Sequence, residues 1–83
     1  MTTIPLSPRE STILRFCAWG YSHLAIGRLL GISAKTVEAH KASGMRKLAL
    51  LDRAALVRHA VWEGWLTPSA IPEFAAAGMT KTG

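Results

Sequence analysis

The sequence predicts an all-α fold, four short helices packed into one compact domain, and three observations point there. Serine or aspartate caps and glycine stops recur along the chain at helical lengths. Between those signals apolar residues return every three or four positions, and no stretch alternates with period two over a useful length. The 83 residues, 49% apolar and 18% charged, suit a single small domain with a packed core. That domain is expected over residues 6–66, with residues 67–83 as a poorly ordered C-terminal tail.

Each helix follows from its punctuation. Ser7 is placed to cap the first, Pro8 suits the first helical position, and Glu10 completes a Ser-x-x-Glu capping box, with Leu6 set for a hydrophobic staple. Ile13, Leu14, Cys17 and Ala18 then recur at helical spacing until Gly20 ends a helix over about residues 8–19. Ser22 caps a second, shorter helix through Leu30, without the reciprocal Glu and so more weakly. Gly27 inside it costs roughly 1 kcal/mol of helix propensity relative to Ala. A second helix packing close to its backbone would account for that residue. Gly31 breaks the chain, Ile32 offers an apolar plug, and Ser33 caps a third helix over about residues 34–48. Two helices joined by a short glycine-containing turn form a helix-turn-helix outline.

Val37, Met45 and Leu48 of the third helix are expected to face inward, with Ala34 and the stem of Lys41 beside them. Asp52 caps a fourth helix, residues 53–63, which Gly64 stops. Its inward stripe is expected to be Leu56, Val57, Ala60 and Val61, with Trp65 and Leu66 folding back to close the core. Beyond Leu66 the stretch "TPSAIPEFAAAGMTKTG" has little amphipathic pattern, and a short turn over residues 72–77 is the most structure expected there.

Composition narrows the function. Ten Lys and Arg face five Asp and Glu, a net charge of +5, which favours a polyanionic partner, nucleic acid first. A single cysteine, Cys17, excludes an intramolecular disulfide or a thiolate zinc site, and its apolar neighbours suit a small buried residue. His23, His40 and His59 have no ligand-like spacing, and no phosphate loop or nucleophile–base pair is visible, so neither an enzyme nor a cofactor is expected. No apolar run approaches the ~18 residues of a membrane span, and no signal peptide is expected ahead of the domain. The expected location is a reducing cytosol.

Four blocks in order, "LSPRESTIL", "GYSHLAI", "LLGISAKTVEAHKASGMRKL" and "DRAALVRHAVWEGWL", resemble the LuxR/FixJ-type (GerE-like) helix-turn-helix, the DNA-binding output domain of bacterial response regulators. The most specific part is Gly31-Ile32-Ser33 followed by Thr36-Val37 and His40, with Lys47-Leu48 closing the helix. The resemblance implies that the third helix enters the major groove of double-stranded DNA. It also implies that the fourth helix pairs with its symmetry mate when two copies occupy neighbouring half-sites. An upstream receiver or sensor domain and RNA polymerase are the further partners it implies, and no membrane. It places the protein in the bacterial cytoplasm, associated with the nucleoid through DNA. The chain is then either an excised output domain or a small stand-alone regulator.

Departures from the family pattern are informative. Ala25 stands where Glu is common, Leu24 and Leu29 where polar residues are frequent, and Ala49-Leu50 replaces a usual loop glycine. Gly44 interrupts the third helix at a cost that close packing would justify. Glu38 falls where a cation is frequent.

With Val37 and Met45 inward, steps of three and four put Lys35, Glu38, Ala39, Ala42 and Arg46 on the opposite, reading face. Ser22, Ser33 and Thr36 stand at helix N-termini suited to phosphate, and His40, Lys41, Arg46 and Lys47 supply further donors and charge. Glu38 has two open readings: acceptance of a hydrogen bond from a cytosine amino group, or a solvated pair with Lys35 or Lys41. Ala55, Arg58, His59 and Trp62 lie off the inward stripe of the fourth helix and are the dimer candidates. For Trp62 the competing reading is that it covers the edge of the core beside Trp65.

Overall fold

A computed structural model describes residues 5–67, which form four α-helices and, among the described residues, no strand. The helices are α1 (Pro8–Ala18), α2 (His23–Leu30), α3 (Ala34–Lys47) and α4 (Arg53–Glu63). Every expected helix is present, within one or two residues of its expected ends. The expected turn over 72–77 lies outside the described residues.

Local chemistry starts each helix as the sequence indicates. Ser7 Oγ accepts from the Glu10 backbone N–H at 3.0 Å while Glu10 Oε1 accepts from the Ser7 N–H at 2.9 Å, a complete capping box. The side chains of Ser22, Ser33 and Asp52 each accept from the backbone N–H three residues on. Gly31 and Gly64 end α2 and α4 at φ of 72° and 77°, left-handed backbone that an L side chain rarely adopts.

The core lies where α1 meets the other helices. Ile13, Leu14, Phe16 and Cys17 of α1, Ile26 of α2, Val37 of α3 and Leu56 and Ala60 of α4 are buried together. Trp65 returns from the turn after α4 to close this core, and its carbonyl accepts from Trp19 Nε1 at 2.8 Å. The Arg15 guanidinium lies 5.2 Å from the centre of the Trp65 ring, and His59 meets that ring edge-on. Burial pushes the Cys17 thiol up, which keeps it protonated and unreactive.

Two expectations for α4 fail. Val61 is 63% exposed, so the inward stripe is Leu56 and Ala60, with Val57 half-buried beside them. Trp62 is 86% exposed and does not cover the core, because Trp65 fills that place. Gly64, at positive φ, reverses the chain just after α4, so the later tryptophan reaches inward and the earlier one is left in solvent.

The two helix glycines have specific reasons. A Cβ on Gly44 would meet Leu14 Cδ1 at 2.9 Å, so α1 and α3 approach as closely as they do because position 44 has no side chain. A Cβ on Gly27 would come within 2.5 Å of the Ile32 carbonyl oxygen. The close neighbour of Gly27 is thus the turn leading into α3, not the face of another helix as the sequence suggested.

Candidate nucleic-acid interface

α3 packs against both α1 and α2, and that packing decides which of its faces is free. Val37 and Gly44 are buried, Met45 and Leu48 rest against the core, and Lys41 is half-buried at the border. Lys35, Thr36, Glu38, Ala39, Ala42 and Arg46 are exposed on the outer side, the face expected from helical spacing, and His40 is half-buried. Two serines frame its front. Ser22 Oγ receives the Ala25 N–H at 3.1 Å, and Ser33 Oγ receives the Thr36 N–H while donating to Thr36 Oγ1 at 2.9 Å. The Ser33 proton is therefore occupied, which leaves the Thr36 hydroxyl proton to an outside acceptor.

A shallow open groove runs along this surface. It is lined by Lys35, Glu38, Ala39, Lys41, Ala42 and Met45 of α3 and by His23 from the first turn of α2. The small alanine side chains make the groove accessible, and the cations give it positive charge. Glu38 pairs with neither Lys35 nor Lys41 of its own helix. Its Oε2 lies 3.6 Å from His23 Nδ1 instead, across the α2–α3 seam. Sequence reasoning passed over His23, because the contact depends on the angle that the turn sets between two helices.

Lys47 is placed differently from the other cations. Its ammonium donates to Glu10 Oε1 at 2.9 Å, and Ser43 Oγ donates to the other carboxylate oxygen at 2.6 Å. Lys47 and Ser43 are one turn apart on the α3 face that meets α1, so together they fasten the end of α3 to the start of α1. The Lys47 hydrogen bond, joined by those from Ser43 and the Ser7 backbone, lowers the Glu10 carboxyl pKa from 4.5 to about 2. Lys47, expected as a phosphate contact, is thus already engaged with an internal carboxylate. The sequence signal was the four-residue spacing of Ser43 and Lys47, but nothing local pointed to Glu10 as their common partner.

The dimer candidates separate as well. Arg58 and Trp62 are exposed and Ala55 is half-buried, whereas the His59 ring turns onto Trp65 with centroids 5.2 Å apart. Leu24 of α2 is 55% exposed and Leu29 lies partly exposed on the same helix. Among the described residues no cluster of His, Cys, Asp or Glu could hold a metal ion, and no helix is long and apolar enough to cross a membrane.

Residues 4–60 match the family model of bacterial regulatory proteins, luxR family. The chain is 38% identical over 60 residues to the transcriptional regulatory protein MctR of Rhizobium johnstonii, a match covering 72% of this chain and 28% of MctR. It is 46% identical over 56 residues to the oxygen regulatory protein NreC of Staphylococcus aureus, covering 68% of this chain and 26% of NreC. The chain thus spans little more than a quarter of the length of these curated relatives. No solved structure matches it significantly.

Proposed function

The chain belongs to the luxR family of bacterial regulatory proteins, and from that premise we propose that it binds double-stranded DNA as the output domain of a transcription regulator. In this reading α3 lies in the major groove. The observation that carries it is the free face of α3: one helix, fixed along its inner side, presents Lys35, Thr36, Glu38, Ala39, Ala42 and Arg46 to solvent. Lys35, Lys41 and Arg46 neutralise phosphates, and His40 donates to one. Ser22, Thr36 and the front turns of α2 and α3 supply backbone-directed donors. Lys47 contributes by holding α3 in place. Glu38 accepts a hydrogen bond from a cytosine amino group, and Ala39 and Ala42 leave room for thymine methyls.

Alone the domain binds weakly. A second copy raises affinity by pairing half-sites through α4, where Trp62 and Arg58 face outward. MctR and NreC both extend far beyond the matched segment. That length supports a receiver or sensor domain elsewhere in the regulator, which sets when two copies meet in the bacterial cytoplasm and whether they engage RNA polymerase.

Titration of duplex DNA with the full chain across a salt series tests the reading. Affinity should fall steeply with salt, by a log–log slope of about 0.9 for each phosphate contacted, and Lys41→Ala should reduce that slope by about one unit for every sequence. Absence of binding at low salt, or an affinity indifferent to salt, would contradict it. The exposed Leu24 favours a second reading, a module that docks on a receiver domain or RNA polymerase through α2 without reading bases. Binding that selects one duplex sequence over others counts against that alternative.

A further inference from the structure

Glu38 has lysines three residues away on either side of its own helix, Lys35 and Lys41, at the spacing where helical ion pairs form. Its carboxylate meets neither within ion-pair distance among the described residues, and reaches His23. The two side chains differ in exposure: that of His23, in the first turn of α2, is 30% exposed, while that of Glu38 is 66% exposed. His23 is also the single groove-lining residue contributed by α2. A partly buried imidazole on one element therefore meets a more exposed carboxylate on another, at the surface proposed to face DNA.

We infer that His23 is a specificity-determining residue that acts by positioning Glu38. This rests on the proposed reading of DNA through α3. A free Glu side chain samples several rotamers and must be ordered before it can accept from one base, at an entropic cost. With its proton on Nδ1, the His23 ring biases the carboxylate toward the α2 side of the groove before DNA arrives, so part of that ordering is already done. At 3.6 Å the contact is longer than a hydrogen bond, and a small rotation of either side chain closes it or releases it. His23 is thus a guide that lets the carboxylate move onto a base, not a partner that sequesters it. Its position in the first turn of α2, next to the Ser22 cap, ties the guide to the element proposed to anchor the DNA backbone. The base read by Glu38 is in this way registered to a phosphate contact on a different helix.

The test selects bound sequences from a random duplex pool with the full chain and with Glu38→Ala, His23→Ala and His23→Asn. The Asn amide keeps a donor near the position of Nδ1. A base contact by Glu38 is worth roughly 5- to 150-fold in preference at one base pair, which Glu38→Ala should abolish. His23→Ala should flatten that same base pair by roughly two- to tenfold and leave every other position, the salt slope and the melting temperature as they were. His23→Asn should restore the preference. A general structural role would weaken all positions together and lower the melting temperature, and that pattern overturns the inference. If Glu38→Ala changes the profile but His23→Ala does not, the inference fails while the DNA reading stands. If Glu38→Ala leaves the profile of a bound pool unchanged, direct readout by Glu38 fails and the inference with it. Recovery of no bound DNA by the unaltered chain removes the functional reading itself.

Discussion

Gly27→Ala should destabilise the domain, although alanine is the better helix former by roughly 1 kcal/mol. The new Cβ would lie 2.5 Å from the Ile32 carbonyl oxygen and 3.3 Å from both Ala34 N and Ser33 C. All three are backbone atoms, so no side-chain rotation relieves the contact. The turn would have to retreat by roughly 1 Å to reach ordinary van der Waals separation. It is also tied to the same glycine, because the Ile32 N–H donates to the Gly27 carbonyl at 2.9 Å. Overpacking of this kind costs about 1–3 kcal/mol, and a loosened hydrogen bond about 1 more. Set against the helix gain, the net loss is about 1–3 kcal/mol. For a domain of this size each kcal/mol lowers the melting temperature by roughly 4–8 °C. Thermal and urea unfolding followed by circular dichroism measures it. Gly44→Ala is the internal comparison: its nearest neighbour is the Leu14 side chain, which can give, so its loss should be the smaller. A Gly27→Ala variant as stable as the parent, or more stable, would refute the tight turn and with it the angle at which α3 is presented.

Ala49 occupies left-handed backbone at φ 57°, so Ala49→Gly should stabilise the domain by about 0.5–1 kcal/mol, read as a raised melting temperature. The Glu10 carboxyl, lowered from 4.5 to about 2 in the fold, contributes stability that is present above pH 4.5 and lost as pH falls toward 2. Melting temperature against pH should therefore fall over that window in the parent chain and less steeply in Glu10→Gln. Trp62→Ala removes an exposed side chain, so the melting temperature should barely change while cooperative binding to DNA with two half-sites weakens. Retained cooperativity would remove α4 as the pairing surface.

Helix limits were legible in the sequence because capping is local. The bonds at Ser7, Ser22, Ser33 and Asp52 span three residues, and positive φ at Gly31 and Gly64 needs no distant partner. The outer face of α3 was legible too, since helical spacing relates it to the buried Val37. What the sequence hid depends on the angles between elements. Val61 stands next to the buried Ala60, and only the way α4 lies on α1 determines that the stripe stops before it. Lys47 looked like any other cation of α3 until Glu10, 37 residues earlier, appeared beneath it. The neighbour of Gly27 was misjudged for the same reason: the turn folds back onto α2 instead of continuing away from it. Ala49 keeps left-handed backbone at the link into α4, a conformation to which an L side chain is less suited than glycine.

The identity of the DNA-facing surface is most directly measured by amide chemical shifts of the isotopically labelled full chain during titration with duplex DNA at low salt. Shifts concentrated at the front turn of α2 from Ser22 and at the outer residues of α3 from Lys35 to Arg46 are predicted, with Leu29 and the Glu10–Lys47 contact undisturbed. Shifts clustered around Leu29 with none along α3, or a spectrum indifferent to DNA, would contradict the assignment of α3 as the reading helix.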